Sequence, residues 1–484
     1  MALRKYSEEE RREQQLKRKN TLIILCVILA LVFVGIIAVN AVEKHVESIS
    51  TVDEVVFAAD SESLTEIKWT FENKTLDFVK TDDVWTLSGD DSFPVNQEEI
   101  AYLIENFAEV HASFIIEDVE DYSQYGLDDP EAEITFITAE DETTISCGTF
   151  STMDSKRYIS INSGTVYLID DDIESYLTSD RDEYLANDEI PYFQQIETVD
   201  LTGDVNLSLI YEEDADYSYT TSYNYYLKDD TGYLPLSDSS VSTFLGYFTH
   251  ITFTDYVTYC VTDEELTKWG FDSPDLTIHV KGYDYDTDFT DDNDLGEEEE
   301  HYLYFKKIDD ETIYLRVDES QIIYSYTPED YETLTGYDYN SLRPTSVVDI
   351  SAPQVQTITA NIDSDQYIID AETIDDIVTY TVNGTEIEGS QIVSDISALS
   401  VKEFDSTLSQ GVTEFSVTVV LNDEANTSLS ITLYRVDGDS CLVSLNGETL
   451  GLVDRTLMTT LKEDFTRIML NLGKEEAEST TDTE

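Results

Sequence analysis

Basic residues are scarce in this sequence. Its 484 residues include 27 Lys or Arg and 103 Asp or Glu, so the formal net charge is −76. Seven of the basic residues and four of the acidic ones precede residue 21. The rest of the chain therefore has 20 Lys or Arg and 99 Asp or Glu. A surface of this sign repels nucleic acid and anionic lipid or wall polymer. We therefore expect no nucleic-acid partner.

Cysteine is scarce as well, with four residues in the whole chain. Cys147, Cys260 and Cys441 lie outside the apolar N-terminal run, and none of them belongs to a CxxC pair. An exported domain held together by disulfides normally has more cysteines, and an even number of them. We expect three buried thiols, with one disulfide among them as the alternative.

Motifs for catalysis or nucleotide binding are missing from the sequence. The five histidines are scattered without an HExxH pattern, and GxSxG, GxxxxGK[ST] and GxGxxG do not occur. Paired carboxylates for glycoside hydrolysis abound in so acidic a chain, so their presence singles out no site. We therefore expect a protein that is not an enzyme and that carries no cofactor.

Long uncharged stretches are limited to one, TLIILCVILALVFVGIIAVNAV at residues 21–42. Its 22 residues reach about 33 Å as a helix, enough to span the hydrocarbon core of a bilayer. The preceding residues 1–20 are rich in Lys and Arg, which places them in the cytoplasm. This predicts a single-pass cell-membrane protein that contacts the lipid bilayer through 21–42 and lies outside the cell beyond Val42.

A cleaved signal peptide is the alternative reading of this segment, with Val39-Asn40-Ala41 as a tolerable cleavage site. The apolar part of a signal peptide normally runs only about 7–15 residues. Because the present run is longer, we favour an uncleaved anchor.

The acidity of the exported part does not indicate disorder. The chain is 41% apolar and contains 32 Tyr and 19 Phe. Disordered acidic tails are poor in aromatic residues, whereas Tyr suits half-buried strand positions. The exported part is therefore expected to fold.

One phrase occurs twice, as YGLDDPEAEITF at 125–136 and as WGFDSPDLTIHV at 269–280. Glycine permits a backbone conformation that other residues resist, aspartate closes turns, and proline makes the preceding residue extended. The phrase thus predicts a structural hinge that leads into a strand, rather than a ligand site. The hinge residues are Gly126, Asp128, Pro130, Gly270, Asp272 and Pro274.

Each phrase follows an amphipathic helical pattern. At a constant offset of 141 residues, apolar side chains recur with spacings of 0, 3, 4, 7 and 10, which is one face of a helix. Asn96 and Ser237 precede the two patterns and are the expected N-caps. The matched apolar positions are Ile100, Leu103, Ile104, Phe107 and Val110 in the first copy and Val241, Phe244, Leu245, Phe248 and Ile251 in the second.

A third, more degraded copy follows. It has helix-like positions at Ile392, Ile396 and Leu399, then Gly411 and four strand-like runs. A period of about 140–150 residues is too long for a solenoid, so it indicates three similar α+β domains in tandem, each with antiparallel strands and one main amphipathic helix. The predicted segments are a cytoplasmic basic segment 1–20, a transmembrane helix 21–42, repeat domains at 50–195, 196–345 and 346–470, and a disordered tail at 471–484.

The second copy alone carries an acidic insertion, residues 283–300, with ten carboxylates and no basic residue. Clustered oxygens suit Ca²⁺, although the spacing does not match an EF-hand. A mobile, solvated loop and a weak Ca²⁺ site are the two interpretations. The candidate ligands are Asp286, Asp288, Asp291, Asp292 and Asp294.

The anchor, the Trp-containing strands, the apolar helix and YGLDDP together resemble a bacterial family catalogued as a domain of unknown function, number four-three-four-zero. The resemblance covers the first two copies well and the third weakly. Members of that family look like single-pass exported proteins, often associated with ABC-type transport components of the gliding-motility or auxiliary kind. The resemblance implies an accessory role beside a transporter, and it carries over no catalytic residues.

These observations predict a non-enzymatic, membrane-anchored extracytoplasmic binding or scaffold protein. Its expected partner is a membrane or surface protein such as an ABC permease. One alternative is a surface enzyme that acts on cell-wall or glycan polymer with carboxylate catalysis. The other is a cation- or solute-binding receptor, which predicts a pocket at a domain interface.

Overall fold

The computed structural model describes most of the chain after residue 52. The described residues are 19–20, 29, 32–34, 53–117, 119–153, 155–162, 164–230, 232–253, 255–285, 295–362, 365–375 and 377–481. Of the predicted transmembrane segment 21–42, all but 29 and 32–34 lies outside the described residues. No helix within the described ranges is both long and apolar enough to cross a membrane.

The first sheet contains nine antiparallel strands. They are β1 Glu54–Phe57, β2 Leu64–Phe71, β3 Lys74–Thr81, β4 Val84–Leu87, β5 Val110–Ile116, β6 Ala132–Thr138, β7 Glu142–Ser151, β8 Lys156–Ile161 and β9 Val166–Ile169. Their order across the sheet is β1-β5-β9-β8-β7-β6-β2-β3-β4. Trp69 on β2 is buried, stacks on Phe78 and donates its indole N–H to the carbonyl of Thr178 at 2.7 Å.

The second sheet also contains nine antiparallel strands. They are β10 Gln195–Gly203, β11 Leu207–Tyr211, β12 Tyr225–Asp229, β13 Gly232–Pro235, β14 Tyr256–Thr258, β15 Leu276–Tyr285, β16 Leu295–Asp309, β17 Thr312–Val317 and β18 Ile323–Tyr326. Their order is β13-β12-β11-β10-β15-β16-β17-β18-β14.

The third sheet repeats the arrangement of the second. Its strands are β19 Val355–Ile362, β20 Asp365–Ile374, β21 Ile377–Val382, β22 Thr385–Ile387, β23 Val401–Phe404, β24 Thr413–Leu421, β25 Ser428–Arg435, β26 Ser440–Leu445 and β27 Glu448–Asp454, in the order β22-β21-β20-β19-β24-β25-β26-β27-β23. Alternate residues of β24 are buried, namely Phe415, Val417, Val419 and Leu421. This two-residue period gives the sheet one face in the core and one towards solvent.

Eight strands follow one another in the same spatial order in all three sheets. The order is β5-β9-β8-β7-β6-β2-β3-β4 in the first, β14-β18-β17-β16-β15-β10-β11-β12 in the second and β23-β27-β26-β25-β24-β19-β20-β21 in the third. The ninth strand differs, because β1 flanks β5 whereas β13 and β22 flank β12 and β21. The described residues therefore form a mixed α+β protein with three similar antiparallel sheets, in agreement with the predicted fold class.

One helix precedes strand β5 in the first copy, β14 in the second and β23 in the third. The helices are α1 Gln97–Glu105, α2 Asp238–Thr249 and α6 Ser390–Ser397; the others are α3 Asp263–Trp269, α4 Pro328–Thr335, α5 Tyr339–Leu342 and α7 Arg455–Thr481. Asn96 caps α1 by accepting from the backbone N–H groups of Glu98 and Glu99, and Ser237 caps α2 by accepting from that of Ser240. Both predicted N-caps are confirmed.

The predicted helical face is shorter than its apolar pattern in the first copy. Ile100, Leu103 and Ile104 are buried on α1, but Asn106 ends the helix. Phe107 is buried in the following turn, and Val110 is the first residue of β5. The apolar periodicity of the sequence therefore extends beyond the end of the helix, because the turn and the next strand face the same core.

A different element covers the core after the last strand of each copy. In the first it is two short 3-10 helices, Ile173–Tyr176 and Arg181–Tyr184, and in the second it is α4 and α5. In the third it is α7, which buries Leu461 and Phe465. Where a disordered tail is predicted at 471–484, α7 is helical as far as Thr481; this end is rich in Glu, Lys and Ala, which favour helix.

The chain separates into two compact units, residues 1–187 and 188–484. The first contains the sheet of residues 54–169, and the second contains the two sheets of residues 195–326 and 355–454. Of the predicted domain boundaries, 195/196 lies at the first residue of β10 and 345/346 lies between α5 and β19.

Candidate functional site

The two hinge glycines occupy equivalent places. Gly126 ends a 3-10 helix with a φ of 69°, and Gly270 ends α3 with a φ of 89°. A Cβ on Gly126 would lie 2.3 Å from Oγ1 of Thr149. Left-handed backbone and close approach both require glycine at this position.

The other hinge residues surround a turn into the next strand. Asp128 and Asp272 are exposed, while Pro130 and Pro274 each precede a strand, β6 or β15, by two residues. The structural-hinge role of these residues stays a prediction. The third copy differs, since Gly411 does not have a positive φ and no helix lies between β23 and Gly411 within the described residues.

A carboxylate recurs directly after the hinge in every copy. In each copy the carboxylate directly precedes a buried residue that pairs with the neighbouring strand. The carboxylates are Glu131 before β6, Asp275 before β15 and Glu414 near the start of β24. Each binds a cation: Arg157 Nη1 lies 2.7 Å from Glu131, Lys306 Nζ lies 3.1 Å from Asp275, and Arg455 Nε lies 3.0 Å from Glu414. The cations come from different elements, so only the carboxylate position is common to the copies.

The first of these contacts belongs to a buried charge cluster in unit 1. Arg157 is 3% exposed and binds Asp172, Glu131 and Glu174, together with the carbonyl of Gly148 at 2.7 Å. Burial alone would lower the pKa of Arg157, but the hydrogen bonds and charges of these carboxylates outweigh it and raise the pKa. Burial also raises the pKa of Cys147 to about 12, so this thiol is protonated and unreactive.

The predicted Ca²⁺ ligands Asp286, Asp288, Asp291, Asp292 and Asp294 lie outside the described residues. Elsewhere in the described part of the chain, no group of three or more His, Cys, Asp or Glu side chains is arranged to hold a metal ion. The cysteines Cys147, Cys260 and Cys441 are all free thiols.

A cavity of about 420 Å³ in unit 2 lies where the second copy meets the third; we call it the junction pocket. Aromatic and aliphatic side chains form most of its wall. Its lining residues are Tyr219, Tyr223, Pro235, Tyr339, Arg343, Pro344, Ser346, Val347, Phe404, Leu445, Asn446, Glu448 and Leu450.

The local sequence places Arg343 in this pocket. The helix α5 ends at Leu342, whose side chain is buried, and Pro344 keeps Arg343 extended with a ψ of 156°. The guanidinium then lies between two rings, 4.7 Å from the centroid of Tyr339 and 4.4 Å from that of Phe404. Arginine stacks in this way on aromatic faces.

Arg343 has no acidic partner among the described residues. Its Nε is buried and has no hydrogen-bond acceptor, and its side chain forms no ion pair in the part of the chain that the structure describes. Buried polar groups are almost always hydrogen-bonded, so an orphan guanidinium nitrogen is unusual. It is more so in a chain with 103 carboxylates.

Polar contacts between the two copies fix the rest of the pocket. The hydroxyl of Tyr223 lies 3.1 Å from that of Ser346, and Asp349 donates its backbone N–H to the hydroxyl of Tyr219 at 3.1 Å. Burial raises the pKa of Tyr223 to about 12, which keeps its phenol neutral at physiological pH. The lining of the junction pocket therefore combines one guanidinium, from Arg343, with neutral hydroxyl groups and the exposed carboxylate of Glu448.

A second cavity of about 360 Å³ lies inside the second copy, near the end of α2. Several of its polar groups already have partners, since the carbonyl of Asp255 accepts from Ser325 and Tyr326 donates to the carbonyl of Tyr247. The junction pocket is the better candidate because its cation lacks such a partner.

The sequence places 342–346 at the boundary between the second and third repeat domains but does not predict a pocket there. The available signal was the presence of an arginine, rare in this chain, directly before proline at a domain boundary. The tyrosines of the loop at 212–224 gave no such signal, because Tyr is frequent throughout.

The family model described as "Domain of unknown function (DUF4340)" matches residues 85–206 of the chain. The matched segment runs from β4 to the loop before β11 and includes the first hinge. No curated protein and no solved structure matches the chain. The match covers about a quarter of the chain and agrees with the family resemblance that the YGLDDP phrase predicts.

Proposed function

We propose that this protein is a non-enzymatic, membrane-anchored binding or scaffold protein that is accessory to an ABC-type transport system. In this proposal residues 1–20 are cytoplasmic, 21–42 anchor the chain in the cell membrane, and the three domains lie outside the cell. The partner is a membrane or surface protein such as an ABC permease.

One observation carries the proposal. The three copies share their sheet topology, their buried helix and the carboxylate that follows the hinge. All of these features stabilise the fold of the individual copy. The exposed polar groups differ from copy to copy. A common frame with divergent surfaces suits a protein that presents several contact sites in tandem.

Affinity purification tests this proposal. The tagged full-length protein is isolated from its native membrane in mild detergent, and the proteins that accompany it are quantified by mass spectrometry. A transporter subunit in near-equal amount is the expected result. Recovery of the protein alone contradicts a stable complex.

A matched variant locates the contact. Residues 1–42 are replaced by an unrelated single-pass anchor of the same orientation, and the purification is repeated. Retention of the transporter assigns the contact to the domains after residue 42, whereas its loss assigns the contact to the membrane segment.

Solute binding is a second candidate function, and the junction pocket is the observation that favours it. Pockets for small molecules commonly lie at domain interfaces and combine apolar walls with a few polar groups. A bound solute stabilises the folded state in proportion to its saturation, so a rise in melting temperature with ligand concentration is the readout.

A further inference from the structure

We propose that the junction pocket binds the carboxylate group of an organic monoanion, with the guanidinium of Arg343 as its recognition group. The inference rests on the proposed binding role of the protein, but not on the transporter or on the membrane anchor.

The position of the guanidinium limits how a ligand can approach it. Tyr339 and Phe404 place their ring centroids 4.7 and 4.4 Å from its central carbon. Because the rings lie so close, a partner can reach the N–H donors chiefly at the edge of the guanidinium plane. A carboxylate fits such an edge with two parallel hydrogen bonds.

The missing acceptor also points to a ligand. Five of the other six arginines in the described residues have carboxylate partners, for example Arg157 with Glu174 at 2.6 Å and Arg467 with Asp464 at 2.5 Å. The sixth, Arg316, donates to the carbonyl of Ser320 at 2.8 Å. Arg343 has no such partner there, and its Nε is buried without an acceptor. Its two Nη nitrogens are not among the buried atoms and have no acceptor within the described residues, so a ligand carboxylate can reach them.

The size and walls of the pocket indicate the rest of the ligand. A volume of about 420 Å³ lies within the range of small-molecule sites, roughly 300–1,000 Å³. Side chains such as Val347 and Leu450 offer apolar contact. These features fit a carboxylate that carries an apolar or aromatic body.

Charge favours a monoanion over a phosphate. Arg343 is the only cationic side chain in the lining of the pocket, and the lining includes the exposed carboxylate of Glu448. The net charge of −76 adds a general repulsion. A dianion would be repelled twice as strongly by Glu448 and by the net negative charge of the chain. A single carboxylate, in contrast, has the charge that one guanidinium neutralises.

The test uses the full-length protein in detergent micelles and ¹⁹F NMR of 3-(4-fluorophenyl)propionate. Saturable line broadening with a dissociation constant on the order of 1–10 mM is expected for a fragment of this size. The neutral 3-(4-fluorophenyl)propanamide is the matched probe, and it should bind at least about tenfold more weakly, since it lacks the charge.

Three variants complete the test. Arg343→Gln should weaken binding of the propionate by at least about tenfold. Arg435→Gln removes an arginine of the same unit whose side chain is 62% exposed, and it should leave binding unchanged. Glu448→Gln removes the exposed carboxylate from the lining and should tighten binding by about two- to fivefold, the usual effect of an exposed charge.

Equal broadening by wild type and Arg343→Gln, or equal binding of acid and amide, overturns the proposal. The absence of saturable broadening by the propionate also overturns it. Tighter binding of 4-fluorophenyl phosphate than of the propionate refutes the choice of carboxylate. If Arg343→Gln does not fold, Glu448→Gln decides, because failure to tighten contradicts an anion site. A purification without a transporter leaves all these outcomes unaffected, so the two proposals fail separately.

Discussion

Replacement of Arg157 by methionine should destabilise unit 1 more than any other single charge removal at the hinge carboxylates. Methionine keeps an apolar stem of similar length but leaves Glu131, Asp172 and Glu174 without their shared cation. Their side chains are 49%, 33% and 20% exposed, so Glu174 loses the most.

The size of the effect follows from burial. Breaking a fully buried ion pair costs about 3–5 kcal/mol, and the partial exposure of two of the carboxylates reduces this to roughly 2–4 kcal/mol. With a urea m value of about 2 kcal/mol/M, the midpoint should fall by about 1–2 M. Tryptophan fluorescence in a Trp269→Phe background reports this transition, because Trp69 and Trp85 lie in unit 1.

Lys156→Met is the matched control, since Lys156 lies beside Arg157 on β8 and pairs with the exposed Asp170 at 2.5 Å. It should cost about 1 kcal/mol or less. Burial raises the pKa of Glu174, so acid should protonate this group early and reduce the penalty of Arg157→Met. A midpoint for Arg157→Met within about 0.3 M of wild type at pH 7 refutes the reasoning.

Three further predictions concern the hinge glycines, the third copy and the membrane orientation. Gly126→Ala should lower the free energy of unfolding by about 1–3 kcal/mol because its φ is 69°, whereas Gly411→Ala, without a positive φ, should change the urea midpoint little; similar midpoints contradict the hinge reading. Hydrogen bonds from Arg455 hold the pKa of Glu414 below its usual 4.5, so their contribution of about 1–2 kcal/mol is present above pH 4.5 and is lost as the pH falls through the lower folded pKa. The difference in urea midpoint between wild type and Arg455→Gln should therefore be full at pH 7 and shrink below pH 4, and a constant difference opposes this assignment. Proteinase K added to intact cells should remove a C-terminal tag and spare a tag placed before residues 1–20; the opposite pattern contradicts the proposed orientation.

Local signals in the sequence were sufficient for the frame of the first two copies. Asn96 and Ser237 identify helix starts because a side-chain oxygen there satisfies free N–H groups. Gly126 and Gly270 identify the hinges because few residues adopt their backbone. These features depend on residues close together in the chain, so one sequence reveals them.

Features that depend on distant residues were not predictable in the same way. Phe107 and Val110 continue the apolar period of α1 although the helix has ended, since periodicity records which side chains face the core and not which element carries them. Arg343 and Phe404 lie 61 positions apart, and only the packing of the second copy against the third brings them together. The junction pocket therefore has no local pattern to reveal it.

The carboxylate after each hinge has a further consequence for how such a protein can diverge. Strand register fixes the acceptor at Glu131, Asp275 or Glu414, but the cation arrives from a strand in two copies and from a helix in the third. A duplicated domain built in this way can lose one basic residue and recruit another from a different part of the fold. Its outer surface can then vary from copy to copy, while the carboxylate at the start of the strand keeps a cationic partner.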